Sequence, residues 1–145
     1  MISKLKKPDM KRAATLFKKS LKLEIPKGSM TTKEIFEVLN DSHTLVYRSG
    51  SSIRGLVSFK EKNRNLQIEF ICVDRPGKGI GFVLMNGVAK YAKKRGIRYV
   101  RSTASSLDRR AMGFYTALGF KNYGMVSFCY KVKATPREII NKTSA

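Results

Sequence analysis

The spacing of apolar and polar residues changes several times along the chain, and each change marks an element. In "DMKRAATLFKKSLKL", Ala13, Leu16, Phe17 and Leu21 recur at helical spacing with lysines between them. That predicts a helix opened by Pro8 and Asp9, with Asp9 as its N-cap. "ISKLKK" before it reads as a short strand. "EIPKGSM" breaks the helical pattern and "TTKEIFEVLND" restarts it, with Thr31 and Glu34 spaced as a capping box. "HTLVYRSG" and "SIRGLVSFKEK" read as two strands about a Gly-Ser turn. "NRNLQIEFICVD" alternates early and then becomes apolar on both faces, the pattern of a central strand.

A glycine-rich stretch, "VDRPGKGIG", then leads into a helix from Gly79 to about Arg95. Ile80, Leu84, Val88 and Tyr91 form its predicted apolar stripe. Lys93, Lys94 and Arg95 sit in its last turn, where cations complement the dipole, and Gly96 suits the C′ position. "IRYVRSTAS" is the next strand. Asp108 opens a helix through about Leu118 that Gly119 ends, and "KNYGMVSFCYKVK" supplies a hairpin or pair of strands. The order β-α-α-β-β-β-α-β-α-β-β describes one mixed α/β domain over residues 1–134, with a polar tail over 135–145. The central β-loop-α-β passage is expected to be a right-handed parallel crossover.

At 145 residues and 42% hydrophobic, the chain is long enough for one real core. No apolar run is long enough to span a bilayer. The N-terminus has no continuous apolar stretch with a small-residue cleavage site, and shares with transit peptides only its basic, nearly acid-free composition. Cys72 and Cys129 both lie in apolar strand-like runs, which suits buried thiols in a reducing, cytoplasmic setting. With one His and two Cys, no zinc set can be assembled from those residues alone, and no metal is expected. Charge changes the picture more. Thirty Lys and Arg against ten Asp and Glu give +20. This is compatible with attraction to a polyanion such as nucleic acid, a membrane surface or a phosphate-rich cofactor, and equally with a lysine-rich surface that has no specific partner.

The glycine stretch fits neither familiar phosphate loop. A Walker loop needs Gly, four residues, then Gly-Lys-Ser/Thr, and none is present. A dinucleotide fingerprint counted from Gly79 would need glycine where Leu84 stands, and counted from Gly77, where Phe82 stands. What remains is a strand, a glycine-rich turn and a helix N-terminus, whose backbone N–H groups suit phosphate. A tight connection without a ligand is the other reading.

Twenty-seven residues past Gly81 begins "DRRAMGFYTALGF". The ordered pair, "VDRPGKGIG" at a strand-to-helix turn and "AMGFYTALGF" on a later helix, resembles the GNAT superfamily of acetyl-CoA-dependent N-acetyltransferases. The resemblance covers nearly the whole chain. "ISKLKKPDMKRAATLF" is similar to that family's first strand and helix, "IRGLVSF" to its third strand and "LQIEFICVD" to its fourth. It implies a mixed central sheet with about four helices and parallel fourth and fifth strands splayed around CoA. By this resemblance the pantetheine arm pairs near Cys72 and Val73, and the pyrophosphate meets the backbone of Gly77, Lys78, Gly79, Ile80 and Gly81. Two positions depart from the family pattern. Pro76 occupies the slot where Arg or Gln is usual, with Arg75 one residue earlier and the connection about two residues short, which leaves the reach of Arg75 to the pyrophosphate open. Asp108 stands where Asn is common, so it either contacts CoA differently or simply caps its helix.

The resemblance also implies chemistry. Acetyl transfer needs a neutral amine, stabilisation of the carbonyl oxyanion and a proton for the departing thiolate. A phenol holds its proton at neutral pH. Tyr115, in "GFYTALGF", matches the family's general acid, and an aromatic packed like Phe114 is the alternative. Glu69 lies near a position where relatives place a catalytic glutamate, on one strand face with Ile71 and Val73. It is either a base bordering a cleft or a structural glutamate paired with an arginine. His43, and the aromatics Tyr123, Phe128 and Tyr130, read as turn and sheet residues. The expected function is acetyl transfer from acetyl-CoA to a primary amine of a small molecule, peptide or protein. The alternatives are a basic nucleic-acid-binding protein or a catalytically silent CoA-binding protein on the same fold. One further expectation concerns the acceptor. Glu24, Glu34, Glu37 and Asp41 against Lys27 and Lys33 give residues 24–41 a charge of −2 while the remainder carries +22. This is either an acidic wall favouring a small or short-peptide amine or a solvated helix face.

Overall fold

The computed structural model describes residues 1–24, 31–103, 109–122 and 127–131. The elements are β1 (Ile2–Lys4), a 3-10 turn (Lys7–Asp9), α1 (Met10–Glu24), α2 (Thr32–Asp41), β2 (His43–Ser49), β3 (Ser52–Lys62), β4 (Asn65–Val73), α3 (Ile80–Lys94), β5 (Tyr99–Thr103), α4 (Arg109–Ala117), β6 (Lys121–Asn122) and β7 (Ser127–Lys131). This is the order that the periodicities predict. Hydrogen bonds link the strands as β1-β2-β3-β4-β5-β7-β6. β4 and β5 are parallel, whereas the β1–β2, β2–β3, β5–β7 and β6–β7 pairs are antiparallel. No helix among the described residues is long and apolar enough to cross a membrane.

The chain divides into two compact units. The first comprises Met1–Phe59 with Phe70–Leu84. Its core gathers Ala13, Ala14, Leu16 and Phe17 of α1, Ile35 and Leu39 of α2, Val46 of β2, Leu56 of β3 and Cys72 of β4. The α1 residues fall on one stripe because they are three and four apart, and the Phe17 ring meets Phe70 edge-on. Each large side chain removed from water contributes about 1.5–3 kcal/mol. Two buried hydroxyls in this unit, Thr44 Oγ1 and Ser58 Oγ, lie 2.8 Å apart and satisfy one another. Thr31 caps α2 as expected: its hydroxyl accepts the Glu34 N–H at 3.1 Å.

Asp9 plays a different part from the predicted one. The turn begins at Lys6, and Asp9 closes it rather than opening α1. Its Oδ2 accepts the Lys6 N–H at 3.3 Å, while its carboxylate takes both terminal nitrogens of Arg48, Nη1 at 2.9 Å and Nη2. Arg48 Nε also donates to Ser3 Oγ at 2.7 Å. A register shift in the β2–β3 ladder between Tyr47 and Arg48 lets the strand re-aim this guanidinium. Bonded to Arg48, the Asp9 carboxyl titrates below the usual carboxylate range, and the same bond raises the guanidinium.

Gly55, inside β3, marks a close approach within the first unit. A Cβ there would stand 2.8 Å from Ile80 Cγ2, 3.1 Å from Leu84 Cδ1 and 3.2 Å from the Cys72 carbonyl oxygen. The missing side chain is what lets the first turns of α3 lie directly on β3 and β4.

The second unit comprises Lys60–Glu69 with Met85–Ala145. Its buried apolar residues include Leu66 and Ile68 of β4, Met85, Val88, Ala89 and Ala92 of α3, Val100 of β5, and Leu118 and Phe120 after α4. The buried stripe of α3 therefore runs through Leu84, Met85, Val88, Ala89 and Ala92, and Tyr91 is only half-buried, with Arg95 over its ring at 5.6 Å. Tyr91, expected in the stripe from its helical spacing, is replaced there by the small residues Ala89 and Ala92. α3 ends in a Schellman motif, with Ile97 N–H on the Ala92 carbonyl at 2.8 Å and Gly96 at φ +69°. Asn63 and Arg64, both at positive φ, make the two-residue turn between β3 and β4.

Two outcomes test these contacts. Gly55→Ala should lower the unfolding free energy by about 1–3 kcal/mol, because Ile80 and the Cys72 carbonyl must both give way; urea melts read this directly. Asp9→Asn should destabilise the protein by about 1–2 kcal/mol at neutral pH. The folded-state carboxyl is depressed, so the stabilisation is present above the unfolded value near 3.8 and lost as pH falls through the lower folded value. The gap between parent and variant melts should therefore close in acid below about pH 4 and stay constant above it.

Candidate active site

The loop from β4 to α3 belongs wholly to the first unit. It starts at Asp74, whose N–H donates to the Arg54 carbonyl at 2.8 Å and whose Oδ2 accepts Arg54 Nη1 at 3.2 Å. This double link fixes the loop's origin beside Gly55. Asp74 Oδ1 is buried and has no hydrogen-bond partner among the described residues. Arg75, Pro76, Gly77 and Lys78 follow, all exposed. Gly77 and Gly79 have φ of +84° and +79°, and no heavy atom lies within 4 Å of where either Cβ would stand. Both facts favour glycine: the left-handed backbone disfavours other residues, and the bare flank leaves the peptide groups approachable. The Gly79 carbonyl accepts the Val83 N–H at 3.2 Å, so Gly79 is the helix N-cap and the first-turn amides of α3 lack the acceptors that a preceding turn would give. Ile80 turns its side chain inward onto Gly55, which leaves its backbone to the loop.

β4 brings Cys72 and Val73 up to this loop. Cys72 is a buried free thiol in the core, whereas Val73 is half-buried. Glu69 lies earlier on β4, in the second unit, and is exposed. Among the described residues no cation pairs with it, so the structural ion-pair reading gains no support. The parallel ladder between β4 and β5 consists of Leu66↔Val100 and Gln67↔Arg101.

Tyr115, on α4 in the second unit, is 3% exposed. Ser102 Oγ of β5 donates a hydrogen bond to its phenol oxygen at 2.7 Å. Phe114 and Phe120 meet the ring edge-on, with centroids 5.3 and 5.2 Å away. The Tyr115 carbonyl accepts the Phe120 N–H at 3.0 Å, which with Gly119 at φ +89° closes α4. Tyr115 is thus a packed aromatic and a hydrogen-bonded phenol at once. Asp108, Tyr123 and the tail over 135–145 lie outside the described residues, as do the side chains of Glu24, Phe128, Cys129 and Tyr130. Glu34, Glu37 and Asp41 are exposed on α2, as a solvated face would be.

Residues 11–120 match the sequence model of the acetyltransferase (GNAT) family. The chain belongs to that family. Within it, an uncharacterized N-acetyltransferase of Methanocaldococcus jannaschii is 39% identical over 72 residues, 48% of this chain and 32% of its own length. Streptothricin acetyltransferase of Streptomyces lavendulae is 34% identical over 84 residues, 57% of this chain and 44% of its own length. The aligned region therefore spans less than half of either curated relative. The PaiA N-acetyltransferase of Thermoplasma acidophilum, solved in complex with coenzyme A, has the same GNAT fold: TM-score 0.79 at 18% identity, covering 90% of this chain and 98% of that one.

Against this family background, the predicted loop residues from Cys72 to Gly81 form one continuous run in one unit, while Glu69 and Tyr115 belong to the other. Sequence reasoning missed Gly55, the Arg54–Asp74 link and Ser102. An isolated glycine inside "SIRGLVSF" was a signal for Gly55, since it marks a close backbone approach. Ser102, at the inward-facing phase of "YVRST", was a weaker one.

Proposed function

We propose that this GNAT-family chain transfers the acetyl group of acetyl-CoA to a primary amine. The observation that carries the reading is the loop between β4 and α3, where two left-handed glycines with open flanks stand at a helix N-terminus. Such a cradle suits a pyrophosphate, and a side chain at either glycine would fill it. The loop residues fit the group: Gly77, Lys78, Gly79, Ile80 and Gly81 would hold it through their backbone, with Arg75 and Lys78 as exposed cations beside it. Cys72 and Val73 would offer backbone groups to the pantetheine amides. The coenzyme A complex of the Thermoplasma relative supports the same cosubstrate here.

Acetyl-CoA supplies the thioester: the amine nitrogen forms a bond to its carbonyl carbon, the carbon–sulfur bond breaks, and the sulfur leaves with the electron pair. Tyr115 serves as general acid, giving its phenol proton to that sulfur and regaining one from solvent. The amine gives up its proton to water, and Glu69, exposed and with no ion pair among the described residues, would accept it on the way. The acceptor is a primary amine, and the exposed carboxylates of α2 favour a cationic one.

Gly79→Glu should abolish acetyl-CoA binding, since it adds a side chain and a negative charge where phosphates would sit; isothermal titration with unchanged affinity would remove the loop from the site. Tyr115→Phe should bind acetyl-CoA nearly as well as the parent and turn over about 10²-fold more slowly where chemistry limits the rate. Parent-level turnover of that variant would exclude Tyr115 as the acid.

A further inference from the structure

Four polar residues are buried among those described: Asp9, Thr44, Ser58 and Ser102. Arg48 holds Asp9, and Thr44 and Ser58 satisfy each other. Ser102 differs, because its hydroxyl goes to the phenol of Tyr115. We propose that Ser102 is a positioning residue for acetyl transfer, holding the Tyr115 phenol in place and stabilising its oxygen as the proton leaves. The proposal rests on Tyr115 being the general acid.

Placement comes first. β5 alternates, with Val100 and Ser102 buried and Arg101 and Thr103 exposed. An inward position on a central strand ordinarily takes a β-branched apolar residue. A hydroxyl there costs stability unless it is hydrogen bonded, and this one is, at 2.7 Å with 2% exposure. Ser102 directly follows Arg101, which pairs with Gln67 of β4, and itself pairs with Phe128 of β7.

Direction comes second. Ser102 donates, so it occupies an oxygen lone pair of Tyr115 and does not consume the phenol's own hydrogen. That hydrogen is the one the reaction needs. When the phenol O–H bond breaks and an S–H bond forms on the departing thiolate, negative charge collects on the phenol oxygen until solvent restores the proton released by the amine. A hydrogen bond given to that oxygen grows stronger as the charge develops. Phe114 and Phe120 meet the ring edge-on, and Ser102 bonds to its polar end.

The test compares Ser102→Ala, Ser102→Thr and Tyr115→Phe by pH-dependent steady-state kinetics. In Ser102→Ala, kcat should fall about tenfold, with KM for acetyl-CoA unchanged. The alkaline limb of its kcat/KM profile should move up by about one pH unit, because the phenol loses a partner that favours its ionised form. Ser102→Thr, which keeps a hydroxyl, should restore both. Because the chain has no Trp, absorbance at 295 nm reads its six tyrosines directly, and the parent should show one phenol ionising at lower pH than its counterpart in Ser102→Ala. Should the alanine variant not fold, Ser102→Cys keeps the shape with a weaker donor and carries the same measurements. A tenfold loss with an unmoved alkaline limb and identical tyrosine titration would reduce Ser102 to a packing residue and overturn the proposal. Parent-level turnover in Ser102→Ala beside a crippled Tyr115→Phe would overturn it while leaving Tyr115 as the acid. Parent-level turnover in Tyr115→Phe would remove the acid itself, and the proposal with it.

Discussion

The first unit is organised around an absent side chain. At Gly55 the backbone of β3 comes close enough to α3 that even a methyl group would sit 2.8 Å from Ile80 and 3.2 Å from the Cys72 carbonyl. Helix N-termini need to be aimed before they can serve an anion, and this one is aimed by direct contact of its first two turns with β3 and the end of β4. The residues flanking the contact reinforce it. Arg54, immediately before Gly55, is tied through backbone and side chain to Asp74, where β4 passes into the loop. Bare glycine on one strand, an inward isoleucine on the helix and an ion pair at the strand end thus fix the three points that set the loop. The left-handed glycines at 77 and 79 then need only turn the chain; they do not have to locate it.

The second unit uses a different device. α3 and α4 both stop at a left-handed glycine followed by a buried apolar residue, Gly96 before Ile97 and Gly119 before Phe120. In each case the buried residue's amide returns to a carbonyl of the last turn. At the end of α4 that carbonyl belongs to Tyr115, and Phe120 also touches the Tyr115 ring. Helix termination and side-chain placement are therefore one event there. This explains why a glycine four residues past the tyrosine belongs to the same motif, "FYTALGF", although it carries no chemistry of its own.

Legibility in the sequence followed the range of the interaction. Element order, the caps at Thr31, Gly96 and Gly119, and the glycine loop rest on contacts within a few residues, and all could be read from spacing. The family was legible because two such local motifs occur in the right order. What failed was long-range. Asp9 looked like an N-cap because its partner, Arg48, lies 39 residues away and is turned toward it by a strand irregularity that leaves no mark in composition. Ser102 and Tyr115 are 13 residues apart on different elements, and neither alone indicates the other. On α3 the error had a different cause. The spacing of apolar residues points to Tyr91, whereas Ala89 and Ala92 are the residues buried there.

The distribution of charge separates two properties that are easily confused. A net charge of +20 attracts any polyanion over a Debye length of about 8 Å at physiological salt, whatever the local geometry. The glycine loop is the opposite kind of feature. Its neutral peptide groups act over hydrogen-bond distance and need fixed geometry rather than net charge. Arg75 and Lys78 are exposed within it and belong to the long-range field, while Gly77 and Gly79 shape the cradle. Salt should therefore weaken association with a nucleic acid, which releases many counterions, more steeply than association with a small phosphate-bearing ligand. In the proposed reading, discrimination would come from the short-range part, the backbone of the two left-handed glycines. On a chain this basic, affinity for anions says little about function, and the geometry around Gly55 says more.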